Sequence, residues 1–389
     1  MAMNLIYLDN NATTELDSQV ISAMAEAVQN AWGNPSSIHR VGQAARRQVD
    51  LARQTICDLI GCEDRELVFT SGGTESVNLA IRGSLEAHRR KKVFVTSRLE
   101  HSSVRDLAEK LEKNGTEVVW LKNANNGLID LNCLKELLSA RSDEIALVSI
   151  MWANNETGVI QPIAEIGSIC QELGVHFHTD ATQWVGKMPT DLSSLPIDLL
   201  SFAAHKFHGP LGAGGLFIKR GVRIEPQIFG GGHERGLRAG TENVAGIVGM
   251  AVAAKLAKQW LETNGREQVA LLRDIFEQAI VNASDGASIN GYSAPRMWDV
   301  TNIGFARLEA EAILMMLSEQ GVCASAGAAC SSGSIEPSAV LLAMGIDPSI
   351  AYGSLRFSLS RETTESEMQE AAEIVIGVVT KLRRSLASV

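Results

Sequence analysis

Cysteine is scarce in this chain, and what there is carries no pattern. Six cysteines are spread over 389 residues, at positions 57, 62, 133, 170, 323 and 330, and none forms a CxxC pair. That argues against a disulfide framework and against a structural zinc site. Positive charge is also short. The formal net charge is −10, so there is no bulk electrostatic footprint for nucleic acid or an anionic membrane, and any anion must be bound locally. Long apolar runs are missing: none reaches the roughly eighteen uninterrupted residues of a spanning helix. The opening MAMNLIYLDNNATT has no charged n-region and no long apolar stretch, which is unlike a signal peptide. A cytoplasmic location is the resulting expectation. No internal repeat is visible.

What is present is an ordinary globular composition, 45% hydrophobic and 21% charged, over a length that exceeds what one core usually organises. From about residue 66 short apolar runs alternate with amphipathic stretches. ELVFTSG precedes the helical TESVNLAIRGSLEAH, KKVFVTS precedes SSVRDLAEKLEKNG, and EVVWL, IALVSIM, VHFHTD and DLLSFAA continue the series. Strands and helices in turn predict an α/β fold with a mostly parallel sheet. GGLFIKR is expected as one more strand, at the sheet's edge. After the glycine-rich GGGHERGLRAGTEN and a long helix the alternation loosens, which predicts a large domain over 13–262 and a smaller α+β domain formed by 1–12 and 263–389.

Three constellations carry chemistry. Lys206, in AAHKFHGPLG, emerges where a strand ends, the edge at which ligands of open α/β sheets collect; alone it reads as a solvated lysine, but there it can also form a Schiff base with an aldehyde cofactor. Asp180 ends VHFHTD at the same edge, where a carboxylate can keep a pyridine nitrogen protonated, with Gln183 in reach of a ring hydroxyl. TSGGTES at 70–76 is a glycine-rich strand-to-helix turn in which Gly72, Gly73, Thr74 and the helix N-terminus suit a phosphate; it lacks the spacing of a P-loop. His176, His178 and Asp180 alternate along one strand face, which would also suit a transition metal. His101 has the place to lie over a flat ring, or to be a surface histidine at a helix start. Cys330 lies in ASAGAACSSGS, whose small residues predict a mobile loop with an accessible thiol, whereas Cys323, beside an apolar helix end, fits an inert packed cysteine.

Together, YLDNNATT, GNPSSIH, TSGGTESVNLAI, EHSSV, MWANNETG, HTDATQ, AHKFHGP, GGGHERGLRAGTEN, SAGAACSSGSIEPS and LRFSLSR resemble, in this order, the NifS/IscS class of cysteine desulfurases. The resemblance spans Tyr7 to Arg361. It implies the aspartate aminotransferase fold (fold type I of pyridoxal phosphate enzymes), a homodimer, pyridoxal 5′-phosphate as cofactor, and conversion of L-cysteine to L-alanine with transfer of the sulfur to a protein acceptor. Selenocysteine lyase, or another aminotransferase-like enzyme of this fold, is the alternative. Carried over by position, Lys206 bonds the cofactor, Asp180 meets its ring nitrogen, Gln183 its ring oxygen, and His101 stacks on the ring. Gly73, Thr74 and His205 match the phosphate site, with Thr241 reaching the phosphate of the other subunit. Asn155 and Arg356 match the holders of the substrate carboxylate, and Cys330 matches the cysteine that takes the sulfur. One residue departs from the pattern: Ala203 stands where the family usually has a serine, which leaves the phosphate cup one donor short.

Overall fold

The computed structural model describes residues 5–326 and 337–387. Seven strands form the central sheet in the order Leu67–Thr70, Gly214–Ile218, Leu199–Ala203, Phe177–Asp180, Ile145–Ser149, Val93–Ser97 and Glu117–Leu121. From Leu199–Ala203 to the far edge every neighbour is parallel. The sheet is covered on both faces: Val68, Phe94, Leu147 and Leu199 enter a core with Val77 and Val104, while Phe69, Val95, Val148 and Leu200 enter the larger core on the other side. The α/β expectation therefore holds.

The expected place of GGLFIKR does not. Gly214–Ile218 lies inside the sheet, antiparallel to Leu67–Thr70 on one side and to Leu199–Ala203 on the other, and all five residues are buried. It carries none of the charged or kinked residues that guard an exposed edge. Gly214 is needed there, since a Cβ at that position would stand 2.6 Å from the Cα of Gly72.

The helix Val244–Leu261 is long and apolar enough to cross a membrane by length and composition. Here it packs against the helices Ser18–Asn30 and Arg40–Ile60 and contributes Ile247, Met250 and Ala254 to the larger core. The glycine-rich segment before it is anchored by an ion pair: Arg53 and Glu234, both buried, meet at 2.6 Å, and Glu234 also accepts from the N–H of Phe69 at 2.9 Å. That anchoring holds Glu234 in a left-handed conformation, with φ of 44°, which a non-glycine residue seldom adopts.

A three-stranded antiparallel sheet, Ala287–Ile289, Val300–Phe305 and Ser354–Ser358, is packed with the helix Gly265–Ala283, which in turn packs against Glu365–Ala387. The amino-terminal segment joins this carboxy-terminal half. Ile6–Tyr7 runs parallel to Val322–Cys323, the N–H of Ser358 donates to Leu8 O at 2.7 Å, and Asn10 Nδ2 donates to Ser358 O at 2.9 Å.

Candidate active site

Phe177–Asp180 and Leu199–Ala203 are parallel neighbours with Asp180 opposite Ser201. The first strand therefore ends at Asp180, and the second continues to Ala203 before the turn Ala204–Lys206. Both residues reach one cavity of about 270 Å³, whose lining holds nine of the eleven residues to which the resemblance gives a role: His101, Gly73, Thr74, Asp180, Gln183, His205, Lys206, Asn155 and Arg356. A larger hollow of about 400 Å³ beside Leu5–Leu8 and Glu15–Ser18 has, among the described residues, no lysine or arginine in its lining. The residues named from sequence gather in the smaller one.

Lys206 Nζ donates to the carbonyls of Asn11 at 2.6 Å and Ala12 at 2.7 Å. Burial, reinforced by the charges of Lys187 and Arg356, pushes its pKa down to about 7, against the pull of Asp180 and Asp9. Much of the amine is thus neutral, and so nucleophilic, near neutral pH. Asp180, buried, is fixed through Oδ1 by the N–H of Thr182 at 3.0 Å. His101 caps the helix Ser102–Lys113, its Nδ1 accepting from the N–H of Ser103 at 3.1 Å, and burial lowers its pKa. A neutral imidazole can lie against a flat ring without bringing a charge.

At the other end of the cavity the helix Gly73–Ala87 begins. Gly73 opens a close approach there: a Cβ on it would stand 2.9 Å from Thr182 Oγ1 and 3.8 Å from the Cβ of Ala203. The hydroxyl of Thr182 is buried without a partner, beside the spot where Ala203 offers none. His205 Nδ1 lies 3.2 Å from Thr13 Oγ1; burial, then Lys206 and Lys187, bring its pKa to about 4. Arg356 is held by Asp9 at 2.6 Å and by the carbonyl of Asn155 at 3.1 Å, while Arg356 Nε and Asn155 Oδ1 stay buried and unpartnered.

Thr241 is exposed and does not line this cavity. Cys330 lies outside the described residues. The histidine strand has a structural use: His178 is bracketed by Ser149 Oγ at 2.8 Å and Ser201 Oγ at 2.9 Å, burial lowers its pKa to about 4, and His176 faces Asp198 at 3.5 Å.

Sequence reasoning missed five residues around the cavity. Asn11 and Ala12 receive the lysine, yet YLDNNATT has no chemical signal of its own. Lys187 and Asp299 form a buried ion pair at 2.7 Å between segments far apart in sequence. Glu100 is fully buried behind Met151, whose N–H it accepts at 2.9 Å; burial pushes its pKa up to about 8. Its place next to His101 in EHSS was the only available hint.

The donor set fits pyridoxal 5′-phosphate: a partly neutral lysine for an aldehyde, a carboxylate for a ring nitrogen, and a helix N-terminus with threonines for a phosphate. Buried polar atoms without partners, on Thr182, Asn155 and Arg356, are what a cavity built for a polar ligand leaves open. Known proteins agree. The family described as "Aminotransferase class-V" matches residues 6–370. Cysteine desulfurase 2 of Trichormus variabilis is 45% identical over 381 residues, covering 98% of this chain and 94% of that one. Cysteine desulfurase NifS of Azotobacter vinelandii is 44% identical over 379 residues, covering 97% and 93%. A solved structure titled "NIFS-LIKE PROTEIN" superposes with a TM-score of 0.89 at 34% identity, covering 97% of this chain and 99% of that one. The chain belongs to the class-V aminotransferases, and within them to the pyridoxal phosphate-dependent cysteine desulfurases of the NifS/IscS type.

Proposed function

We propose that this protein takes the sulfur from L-cysteine, releases L-alanine, and holds the sulfur as a persulfide on Cys330 for delivery to an acceptor such as the machinery of iron–sulfur cluster assembly. The observation that carries the reading is the meeting of Lys206, Asp180, Asn155 and Arg356 in one cavity, which provides an attachment point and a carboxylate site within reach of each other. NifS and IscS names among the relatives support it.

When bound, pyridoxal phosphate supplies the aldehyde that takes the substrate amine and a ring that draws electrons from its Cα. The chain's own residues do the rest. Asp180 would keep the ring nitrogen protonated, Gln183 would address the ring oxygen, and His101 would cover the ring. Gly73, Thr74 and His205 would hold the phosphate, with Thr241 offered to the partner subunit's site. Arg356 and Asn155 take the substrate carboxylate, and Lys206, kept partly neutral by burial, removes the Cα proton. The Cys330 thiolate attacks the substrate sulfur; the new S–S bond forms as the C–S bond breaks with its electron pair on carbon, and a proton from solvent at that carbon and the proton returned by Lys206 to Cα complete alanine.

The homodimer is supported by apolar side chains left in solvent on and near the first two helices and on the loops around Leu211 and Phe229: Trp32 is 73% exposed, Ile38 95% and Phe229 81%. We also infer a cytoplasmic location, in keeping with the thinly spread, unpaired cysteines. The deciding experiment gives the holoenzyme L-cysteine, measures alanine, and locates the persulfide by mass spectrometry of peptides. Turnover with no persulfide on Cys330 refutes the acceptor role, and no alanine refutes the activity.

A further inference from the structure

Lys187 lies behind the cavity, 5% exposed, and is outside its lining. Its ammonium donates to Asn11 Oδ1 at 2.7 Å, to Gln183 Oε1 at 2.9 Å and to Asp299 Oδ2 at 2.7 Å. All three protons are used. An ammonium has donors and no acceptor, so Gln183 must turn its oxygen toward Lys187 and its nitrogen away. That nitrogen donates to the Asn11 carbonyl at 3.0 Å, which leaves one N–H for the cavity that Gln183 lines. The same Asn11 carbonyl receives Lys206 at 2.6 Å, and Lys187 pins the side chain of that residue. One ammonium therefore holds both the seat of Lys206 and the orientation of the amide beside it.

We propose that Lys187 is a positioning residue: it fixes the hydrogen-bonding sense of Gln183, so that the cavity offers a donor to the ring oxygen of the cofactor, and it holds Asn11 as the rest for Lys206. The inference depends on the cofactor assignment above. A donor there favours the ionised ring oxygen, whereas a flipped amide would present its carbonyl and favour the protonated one. Asp299 makes the arrangement possible by neutralising Lys187 inside the protein. Lys206 is faced by Lys187 and Arg356 on the cationic side, by Asp180 and Asp9 on the anionic side, and by the imidazoles of His101 and His205.

The test is a spectroscopic pH titration of holoenzymes. Lys187→Met with Asp299→Asn removes both charges, so what changes most is the sense of Gln183. The midpoint of the visible band of the lysine-bound cofactor should rise by about one pH unit, the scale of one lost hydrogen bond to a charged group. Lys187→Gln with Asp299→Asn keeps an amide donor toward Gln183 and should return the midpoint most of the way. A wild-type midpoint in the methionine variant, or an equal rise in both double variants, overturns the proposal. A neutron structure of the wild-type holoenzyme needs no variant to fold: the Gln183 oxygen facing Lys187 supports the proposal, and its nitrogen there refutes it. A wild-type protein without a visible band on adding pyridoxal phosphate would refute the cofactor assignment together with this inference, whereas an unshifted band in a loaded variant refutes only the inference.

Discussion

Asp180 stands across a parallel ladder from Ser201, five residues ahead of Lys206, so a carboxylate and an amine leave the sheet from adjacent strands at the same end. Among the described residues no other lysine lines that cavity. Lys206→Ala should therefore abolish turnover and the visible band of the attached cofactor, while loosely held cofactor remains. A borohydride-reducible protein adduct in this variant would contradict the assignment.

Lys206 titrates near 7 rather than at the ordinary lysine value, because it is buried and faced by Lys187 and Arg356. Only the neutral amine attacks an aldehyde. In cofactor-free protein, the rate at which the visible band forms on adding pyridoxal phosphate should rise through a midpoint near pH 7 and level off by about pH 8. A rate still climbing steeply beyond pH 9 would mean an amine of ordinary basicity.

Glu100 makes an opposite kind of statement. Its carboxyl is raised to about 8 in the folded protein and is near 4.3 in the unfolded chain. A raised folded value means that its contribution to stability is complete below about pH 4.3 and is lost as pH rises through about 8. Glu100→Gln cannot ionise. The melting temperature of the variant should fall less than that of the wild type between pH 6 and 9, measured in the same buffers; parallel curves would show that Glu100 ionises normally.

The two cysteines of the carboxy-terminal half should separate cleanly. Cys323 is half-buried in a strand paired with Ile6–Tyr7, and burial together with Asp9 pushes its thiol up, so it is a poor source of thiolate. Cys323→Ala should cost about 1 kcal/mol of stability and leave turnover intact. Cys330→Ala should still bind cofactor and substrate, with alanine production lower by orders of magnitude. Persulfide found on Cys323 in the wild type would reverse the assignment.

The residues legible from sequence share a physical reason. Asp180, Lys206 and the start of the helix at Gly73 each come at or just after the end of a buried strand, and the switch from strand to turn or helix marks that end in the sequence. The interior place of Gly214–Ile218 was not legible, because strand order depends on pairing partners rather than on the run itself. Lys187 and Asp299 were hidden for a related reason. A buried ion pair between residues 112 positions apart has no local pattern, and each member reads as a surface charge. Asn11 was seen only as part of a motif, since its role as an acceptor for Lys206 exists only once the amino-terminal segment has docked.

That docking makes the lysine depend on a distant part of the chain. The resting place of Lys206 belongs to residues 11 and 12, whose segment is tied down by Val322–Cys323 and Ser358. Asn10 and Ser358 are 348 positions apart, so the two carbonyls that receive the amine are placed by a long loop closure and not by the strand that carries Lys206. A substitution that loosens the contacts at Ser358 would reach the lysine through its seat, without touching the cavity wall.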